Sequence, residues 1–326
     1  MPGPYNRETV GTELVADYAD LIRGKTVLTT GISPSGLGAK FVETIAAGKP
    51  KLLILAGRSP EKNQVTADAI TKAHPEVAVR LLQLDLGSFA TVRKAGEEVL
   101  SWDDVPVIDV LVNNAGIMAV PYKLTEDGWE SQFATNHLGH FLFTNLIIDK
   151  VLASPSPRVV NVSSGGHQWS WIRHPDPNFD NGETYNRWVA YGQSKTANIL
   201  FAVSLAEKFA KRGLVAVSLH PGSIATSLVS HLEIDEAILE MRTLSRKMGM
   251  VSGWKPIARI NVEQGTATHI FGAFDPSLKE YNGSYLDACQ VIDPSDDRVR
   301  TWALNPIEAA RLWKLSEKAV GQEFSY

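Results

Sequence analysis

At 326 residues the chain has room for one large α/β domain or two small ones, and its 44% hydrophobic content is ordinary for a protein that buries a core. With 32 basic against 36 acidic side chains the net charge is −4, which leaves no basic footprint for nucleic acid and no polybasic patch for a membrane surface. Cys289 is the single cysteine, so an intrachain disulfide and a cysteine-based metal site are excluded. No run of about 18 apolar residues occurs and the first residues carry no apolar signal core, so the expectation is a cytoplasmic protein without a membrane span.

Residues 1–24 read as an N-terminal extension. Val10, Leu14, Val15, Tyr18, Leu21 and Ile22 recur near a helical period, so a helix is expected between Thr9 and Ile22, laid on the outside of a domain occupying 25–326. From Lys25 strands and helices alternate. Thr26–Thr29 is a short strand, followed by a glycine-rich turn and a helix over Gly36–Ala47. Leu52–Leu55 is apolar on both faces, as suits a parallel sheet covered on both sides. A helix over Pro60–His74 stops at Pro75; Val77–Leu84 and Val107–Val112 are strands flanking a helix over Phe89–Leu100. Glu126–Leu152 reads as one long helix closed by Ser154 and Pro155, and Arg158–Val162 as the fifth strand. A helix carrying Tyr191 runs to Arg212 and ends at Gly213, a typical left-handed cap residue. Leu214–Leu219 is a sixth strand, Val262–Phe274 a helix, Tyr285–Leu286 a short seventh strand and Pro306–Val320 a C-terminal helix.

This alternation implies βαβ units and therefore a single Rossmann-type α/β domain: a right-handed, doubly wound parallel sheet of about seven strands with helices on both faces. Two segments break the rhythm, 165–190 and 225–255. Both follow strands on the edge where open α/β sheets bind ligands, and they read as substrate-side insertions. The first holds Trp169, Trp171, Phe179, Tyr185 and Trp188, each read as packing under a long loop. The second carries Leu228, Ile234, Ile238, Leu239, Met241, Leu244, Met248, Met250 and Val251, and reads as an apolar helical flap over the substrate.

Tyr191 and Lys195 stand at i and i+4, so phenol and ammonium share one face of a helix. A phenol, with a reference pKa of about 10, exchanges protons poorly at neutral pH; a fixed ammonium nearby favours the phenolate and makes it a usable acid or base. Taken alone this spacing is a common surface pair, but Ser163, Ser164 and Asn136 upstream give it company. The turn from Thr30 to Gly38, with Gly31, Ser33, Ser35, Gly36, Leu37 and Gly38, joins the first strand to the first helix. Glycines there let the backbone approach a pyrophosphate at a helix N-terminus. Twenty positions beyond Gly38 lies Arg58, beside Ser59, where an enzyme binding NAD(H) often has an acidic residue. A cation suits a 2′-phosphate, so the expected cofactor is NADP(H); the alternative is a solvated surface arginine. Asp85 and Leu86 close the third strand, where Asp85 reaches toward an adenine amino group. Asn113, Asn114, Ala115 and Gly116 end the fourth, as turn chemistry or as the lining of the adenosine ribose. Asn136, within the long helix, reads by itself as a solvated or capping residue. His167, His174 and His220 lack metal-ligand spacing and read as structural, so no metal site is expected.

Gly31 to Gly38, Asn113-Asn114-Ala115-Gly116, Asn136, Ser164, Tyr191-x-x-x-Lys195 and Pro221-Gly222-Ser223-Ile224-Ala225-Thr226, in this order, resemble the short-chain dehydrogenase/reductase superfamily over Lys25 to about Asp287. Val160 to Ser164 and Tyr191 to Lys195 resemble its retinol-dehydrogenase-like branch and fungal relatives. The resemblance implies an oxidoreductase interconverting a ketone or aldehyde with an alcohol. In it Tyr191 is the acid/base, Lys195 lowers its pKa and binds the nicotinamide ribose, and Ser164 (Ser163 being the runner-up) bonds the substrate oxygen. Asn136 holds a relay water, Thr226 contacts the nicotinamide amide beside Pro221, Gly222 and Ile224, and Gly31, Gly36 and Gly38 cradle the phosphates. One departure is that four residues separate Gly31 from Gly36 where the family has three, so the turn must bulge. The other expectations are a small-molecule carbonyl or alcohol substrate and a homodimer or homotetramer paired through the two long helices. The alternatives are a silent NADP-binding sensor or scaffold, or an epimerase or dehydratase on the same tetrad.

Overall fold

The computed structural model describes residues 4–250 and 258–326. α1 (Gly11–Asp17) and the one-turn α2 (Ala19–Ile22) precede the sheet. Then follow β1 (Thr26–Thr30), α3 (Leu37–Ala46), β2 (Leu52–Gly57), α4 (Pro60–Ala73), β3 (Ala78–Gln83), α5 (Phe89–Leu100) and β4 (Val110–Asn113). α6 (Ser131–Phe133), α7 (Gly139–Leu152), β5 (Arg158–Val162), α8 (Arg187–Phe209) and β6 (Val215–His220) complete the alternating part. After it come α9 (Ile234–Lys247), α10 (Val262–Phe274), β7 (Tyr285–Asp287), β8 (Gln290–Val291), α11 (Thr301–Leu304) and α12 (Pro306–Val320).

The strands lie in the order β3-β2-β1-β4-β5-β6-β7-β8, parallel except for the antiparallel β7–β8 pair. The order reverses between β1 and β4, so the ends of those strands open a crevice. Apolar side chains on both faces of the strands explain the two covering layers. Leu28, Ile54 and Leu111 face α5, α7, α8 and α12 through Val92, Phe141, Leu200 and Leu312. Val27, Leu53 and Val112 face α1, α3, α4 and α10 through Leu14, Phe41, Ile70 and Phe271. The N-terminal helix is thus part of the second layer, set against α10 where a side chain on Gly11 would strike Thr266 Oγ1 at 2.9 Å.

Three elements differ from the sequence reading. β8 is an eighth strand, reached through Ala288 and Cys289 at φ 51° and 57°; this two-residue turn uses left-handed backbone without the Asn or Gly that signals it. The long helix expected over Glu126–Leu152 begins at Ser131, because the buried Glu130 carboxylate accepts from Gln132 N and Phe133 N and Gly128 turns the chain at φ 80°. Its first part, Ala134–Leu138, winds as a single π turn centred on Asn136. In the expected flap, α9 occupies the middle; Val251 and 252–255 lie outside the described residues.

α12 lies across α8 and α7, the helices through which pairing was expected. Trp313 meets Phe141 at 4.9 Å, and His137 Nε2 and Ser316 Oγ stand 2.8 Å apart. The chain's own C-terminal helix therefore covers that face.

Candidate active site

The crevice is built where glycine allows two turns to touch. Gly31 leaves β1 at φ 74°, and a Cβ there would stand 2.5 Å from Ala115 Cα; one on Gly38 would stand 2.4 Å from Asn114 Nδ2. Asn114 Nδ2 instead donates to Thr30 O (2.8 Å) and Gly31 O (3.0 Å), tying the end of β4 to the end of β1. The extra residue of the glycine turn is absorbed by Ser35 at φ 64°, with Gly36 N donating to Ser33 O at 3.0 Å. Ser33 and Ser35 are exposed beside the N-terminus of α3, whose cap is Gly36. Leu37 meets Ile224 at Gly265, so the loop after β6, with Pro221, Gly222 (φ 96°) and Thr226, reaches back to α3.

Arg58 is exposed just past β2 and makes no hydrogen bond or ion pair among the described residues. Ser59 caps α4, accepting from Lys62 N, and donates to Glu61 Oε2 at 2.8 Å. Asp85 Oδ1 accepts from Gly87 N (3.0 Å), and the carbonyl of Leu86 would lie 2.4 Å from a Cβ on Gly139. Asn113 departs from expectation: its amide is turned into the core, donating to Thr144 Oγ1 (3.0 Å) and Asn161 Oδ1 (2.9 Å), so Asn114, Ala115 and Gly116 alone line the edge.

Tyr191, Lys195, Asn136 and Ser164 come together at the ends of β4 and β5. Asn186 caps α8 by accepting from Trp188 N and Val189 N, which starts the helix one turn before Tyr191. Lys195 Nζ donates to Val162 O at 3.1 Å and would stand 3.3 Å from a Cβ on Gly116, which would also lie 3.2 Å from Asn136 Oδ1. Ser163 is committed elsewhere, donating to Lys195 O at 2.8 Å, whereas Ser164 faces the Tyr191 phenol. The Asn136 amide is fully bonded: Oδ1 accepts from Ile117 N (2.8 Å), and Nδ2 donates to Ile117 O and to Ser194 Oγ, both at 2.9 Å.

Burial dominates the electrostatics. It pushes the Tyr191 phenol up to about 12, with Ser164 pulling the other way, and the Lys195 ammonium down to about 8. The expectation that Lys195 draws the phenol toward neutrality is therefore not met in this arrangement. Nζ is held by Val162 O, 5.6 Å from the ring centroid, and both side chains are 4% exposed.

Several participants were not singled out from the sequence. Gly166 and Gly192 let the Tyr191 ring lie against the Gly165–Trp169 turn. His140 joins the two halves of the crevice: Nδ1 donates to Asn136 O (3.0 Å) and Nε2 accepts from Thr30 Oγ1 (2.8 Å), which itself accepts from Asn114 N and Ala115 N. α9 closes over Tyr191 through a cluster of Trp169, Trp188, Ala237, Met118, Leu232, Met241 and Leu244. Both indoles hold it: Trp169 Nε1 donates to Ser245 Oγ (3.0 Å) and Trp188 Nε1 to Glu240 Oε2, which also meets Arg187 Nη2 at 2.7 Å. The signal for this was present in Trp169 and Trp188, both upstream of Tyr191, but nothing in the sequence distinguishes an anchoring indole from a merely buried one.

Residues 25–175 match the family model described as short chain dehydrogenase. The chain is 35% identical over 302 residues to a chloroplastic short-chain dehydrogenase, TIC 32 A, of Brassica napus, covering 90% of this chain and 88% of that one. It is 37% identical to the short-chain dehydrogenase/reductase prx1 of Penicillium roqueforti and 33% identical to retinol dehydrogenase 13 of Homo sapiens, in both cases covering 93% of this chain and 86% of the relative. Among solved structures, an uncharacterized protein from Mycobacterium Paratuberculosis superposes with a TM-score of 0.69 at 32% identity, over 94% of this chain and 96% of that one.

Proposed function

The chain belongs to the short-chain dehydrogenase family, whose members bind a nicotinamide cofactor, and on that premise we propose that it is an NADP(H)-dependent oxidoreductase interconverting a ketone or aldehyde with an alcohol on a bulky, largely apolar substrate. The observation that carries this reading is the meeting of Tyr191, Lys195, Ser164 and Asn136 beneath an apolar lid at the carboxyl ends of β4 and β5.

A dinucleotide fits the residues present. Backbone bare of side chains at Gly31 and Gly38 leads to the N-terminus of α3, which favours a pyrophosphate. Arg58 is free to meet a phosphate on the adenosine ribose, and Asn114, Ala115 and Gly116 line the edge below. The nicotinamide, when bound, supplies or accepts the hydride. The chain handles the proton: Tyr191, a phenol that is protonated at neutral pH and that burial raises further, donates to the oxygen of a carbonyl undergoing reduction, and Ser164 holds that oxygen. Lys195, fixed by Val162 O, would hold the nicotinamide ribose with its positive charge, and Asn136 fixes the backbone at Ile117. The lid of Trp, Met and Leu side chains excludes water and fits apolar substrates of varied shape. The name of the human relative points to retinol, one member of that class.

The test is a screen with NADPH and NADH of retinal, phenanthrenequinone and menadione against pyruvate and glyceraldehyde, followed by absorbance of the reduced cofactor. Efficient turnover of the bulky set is expected. High efficiency confined to the small polar carbonyls would refute the substrate class. Among the described residues no helix is long and apolar enough to cross a membrane. The proposed compartment is the cytoplasm, to be checked by cell fractionation.

A further inference from the structure

We propose that His167 is a positioning residue that aims the Ser164 hydroxyl at the reacting oxygen; this rests on the reading of Ser164 given above. Ser164 is followed by Gly165 and Gly166, the two most freely rotating residues a chain can offer. Nothing larger fits at Gly166 without displacing the Tyr191 ring, because a Cβ there would stand 2.7 Å from it. The serine is thus held on its N-terminal side by Ser163, whose N donates to Leu219 O (2.7 Å), while on its C-terminal side the glycine pair, obligatory at Gly166, leaves its direction to hydrogen bonds.

His167 supplies two of them. Its ring is wholly buried and edge-on to Tyr285 at 5.1 Å. Nδ1 lies 2.7 Å from Ser164 O, and Nε2 lies 3.2 Å from Arg300 N. A backbone N–H only donates, so Nε2 is the acceptor and the proton is on Nδ1, donated to the Ser164 carbonyl. Burial keeps the ring neutral, holding its pKa at about 3. His167 N also donates to Ser164 O at 3.1 Å, so one carbonyl is gripped twice by one residue. The far side of the turn is tied to α8 as well: the Thr196 hydroxyl, next to Lys195, points between Ser170 O (2.6 Å) and His167 O (3.0 Å). Ser164 Oγ accepts from Gly166 N at 3.0 Å, which leaves its own proton to donate into the site. The imidazole therefore connects the C-terminal segment at Arg300 to the backbone of the serine and fixes the direction of its Cα–Cβ bond.

The experiment compares His167→Leu, which removes both ring bonds, with His167→Asn, whose amide nitrogen occupies the place of Nδ1 and restores only the bond to Ser164 O. Turnover is followed on retinal or phenanthrenequinone, whichever the wild type reduces faster, with thermal melting and NADPH titration in parallel. Misplacing a reacting group by about 1 Å costs up to about 100-fold, so His167→Leu is expected to lower kcat by about 10- to 100-fold with NADPH affinity unchanged. His167→Asn should recover most of that kcat while melting as low as the leucine variant, since Arg300 N–H stays unpaired in both. In a Ser164→Ala background His167→Leu should have no further effect on kcat. The proposal is overturned if His167→Asn is as slow as His167→Leu, or if His167→Leu costs the same factor with and without Ser164. Full activity of Ser164→Ala alone would instead remove the role of Ser164, and with it the reason for the pin.

Discussion

The Tyr191 ring lies directly on Gly166: a Cβ on the glycine would stand 2.7 Å from Cε1 and 2.9 Å from Cδ1. Trp169 borders the same space, its Cζ3 lying 3.0 Å from that Cβ. Gly166→Ala should displace the phenol, lowering kcat by about 100-fold through misplacement and stability by about 1–3 kcal/mol through overpacking. Kinetics and denaturant unfolding on the same preparation check both figures. Wild-type turnover would mean that the position of this ring does not matter to the reaction.

Tyr191→Phe removes the proton donor at almost no change in volume. General acid–base catalysis contributes about 10²–10⁴-fold, and a loss of that order in kcat is expected with cofactor binding retained. The pH profile follows from burial, which holds the phenol at about 12 and the ammonium at about 8. Carbonyl reduction should be flat below about pH 8 and decline above it as Lys195 loses its proton. Lys195→Ala should be slow at every pH and lack that limb. An alkaline limb unchanged in Lys195→Ala would assign it to another group.

How much of this was legible in the sequence differs by scale. The strand–helix rhythm from Thr26 to His220 follows local period and glycine placement, and both are written in the chain. β8 was missed because Ala288 and Cys289 adopt left-handed backbone that their residue types do not advertise. Tyr191, Lys195 and Ser164 were singled out from spacing and resemblance, whereas the places of His140, His167 and Gly166 show only in contacts between distant elements. The environment of Tyr191 was misjudged for the same reason: an i, i+4 pair reveals the lysine but not the lid that buries both. Asn113 turns inward, where Thr144 and Asn161, on other elements, accept from its amide nitrogen, contacts that local sequence does not announce.

Tyr191 is 4% exposed and packs in one cluster with α9, so the proposed bulky substrate is expected to reach it as α9 moves. The bonds that resist are Trp169–Ser245, Trp188–Glu240 and Arg187–Glu240. The Glu240→Ala, Ser245→Ala double variant should hold the lid more loosely. Trypsin should cut sooner at the exposed Arg242 and Arg246, and KM for a bulky ketone should rise about tenfold, near 1.4 kcal/mol of lost closure, with kcat no lower. Unchanged cleavage and unchanged KM together would exclude this latch.

Acid should destabilise the fold steeply. Burial lowers His137 and His167 to about 3 and His140 and His269 to about 4, against an unfolded value of about 6.5. Below about pH 6.5 the unfolded chain binds protons that the folded one refuses, so this stability is present above that pH and is lost as pH falls. Each histidine contributes up to about 1.4 kcal/mol per pH unit until its folded value is reached. Glu130, raised by burial, works in the opposite direction. Urea midpoints measured from pH 7.5 to 4.5 should fall, and His137→Leu should reduce the slope by about one proton. A midpoint independent of pH over that range would contradict neutral burial of these rings.

Arg58 should decide the cofactor. It stands just past β2, the strand beside β1, exposed and without a partner among the described residues, where the proposed reading puts the adenosine ribose. NADPH carries a phosphate there and NADH two hydroxyls. A guanidinium grips phosphate through charge-assisted, often bidentate bonds. A hydrogen bond to a charged group nets about 1.5–3 kcal/mol, and every 1.4 kcal/mol is about tenfold, so Arg58 should favour NADPH by about 10- to 100-fold. Two neighbours limit the effect. Ser59 uses its hydroxyl to cap α4 and to donate to Glu61, so it adds little to a phosphate. Glu61 keeps its charge, its pKa lowered by that bond from Ser59, and so opposes the phosphate from one step into the helix. Titrating NADPH and NADH into the wild type, Arg58→Ala and Glu61→Gln separates the three. The wild type should prefer NADPH, Arg58→Ala should lose most of that preference, and Glu61→Gln should gain it. Equal affinities in the wild type would refute NADP(H) specificity, whereas a preference surviving Arg58→Ala would assign the phosphate to another cation.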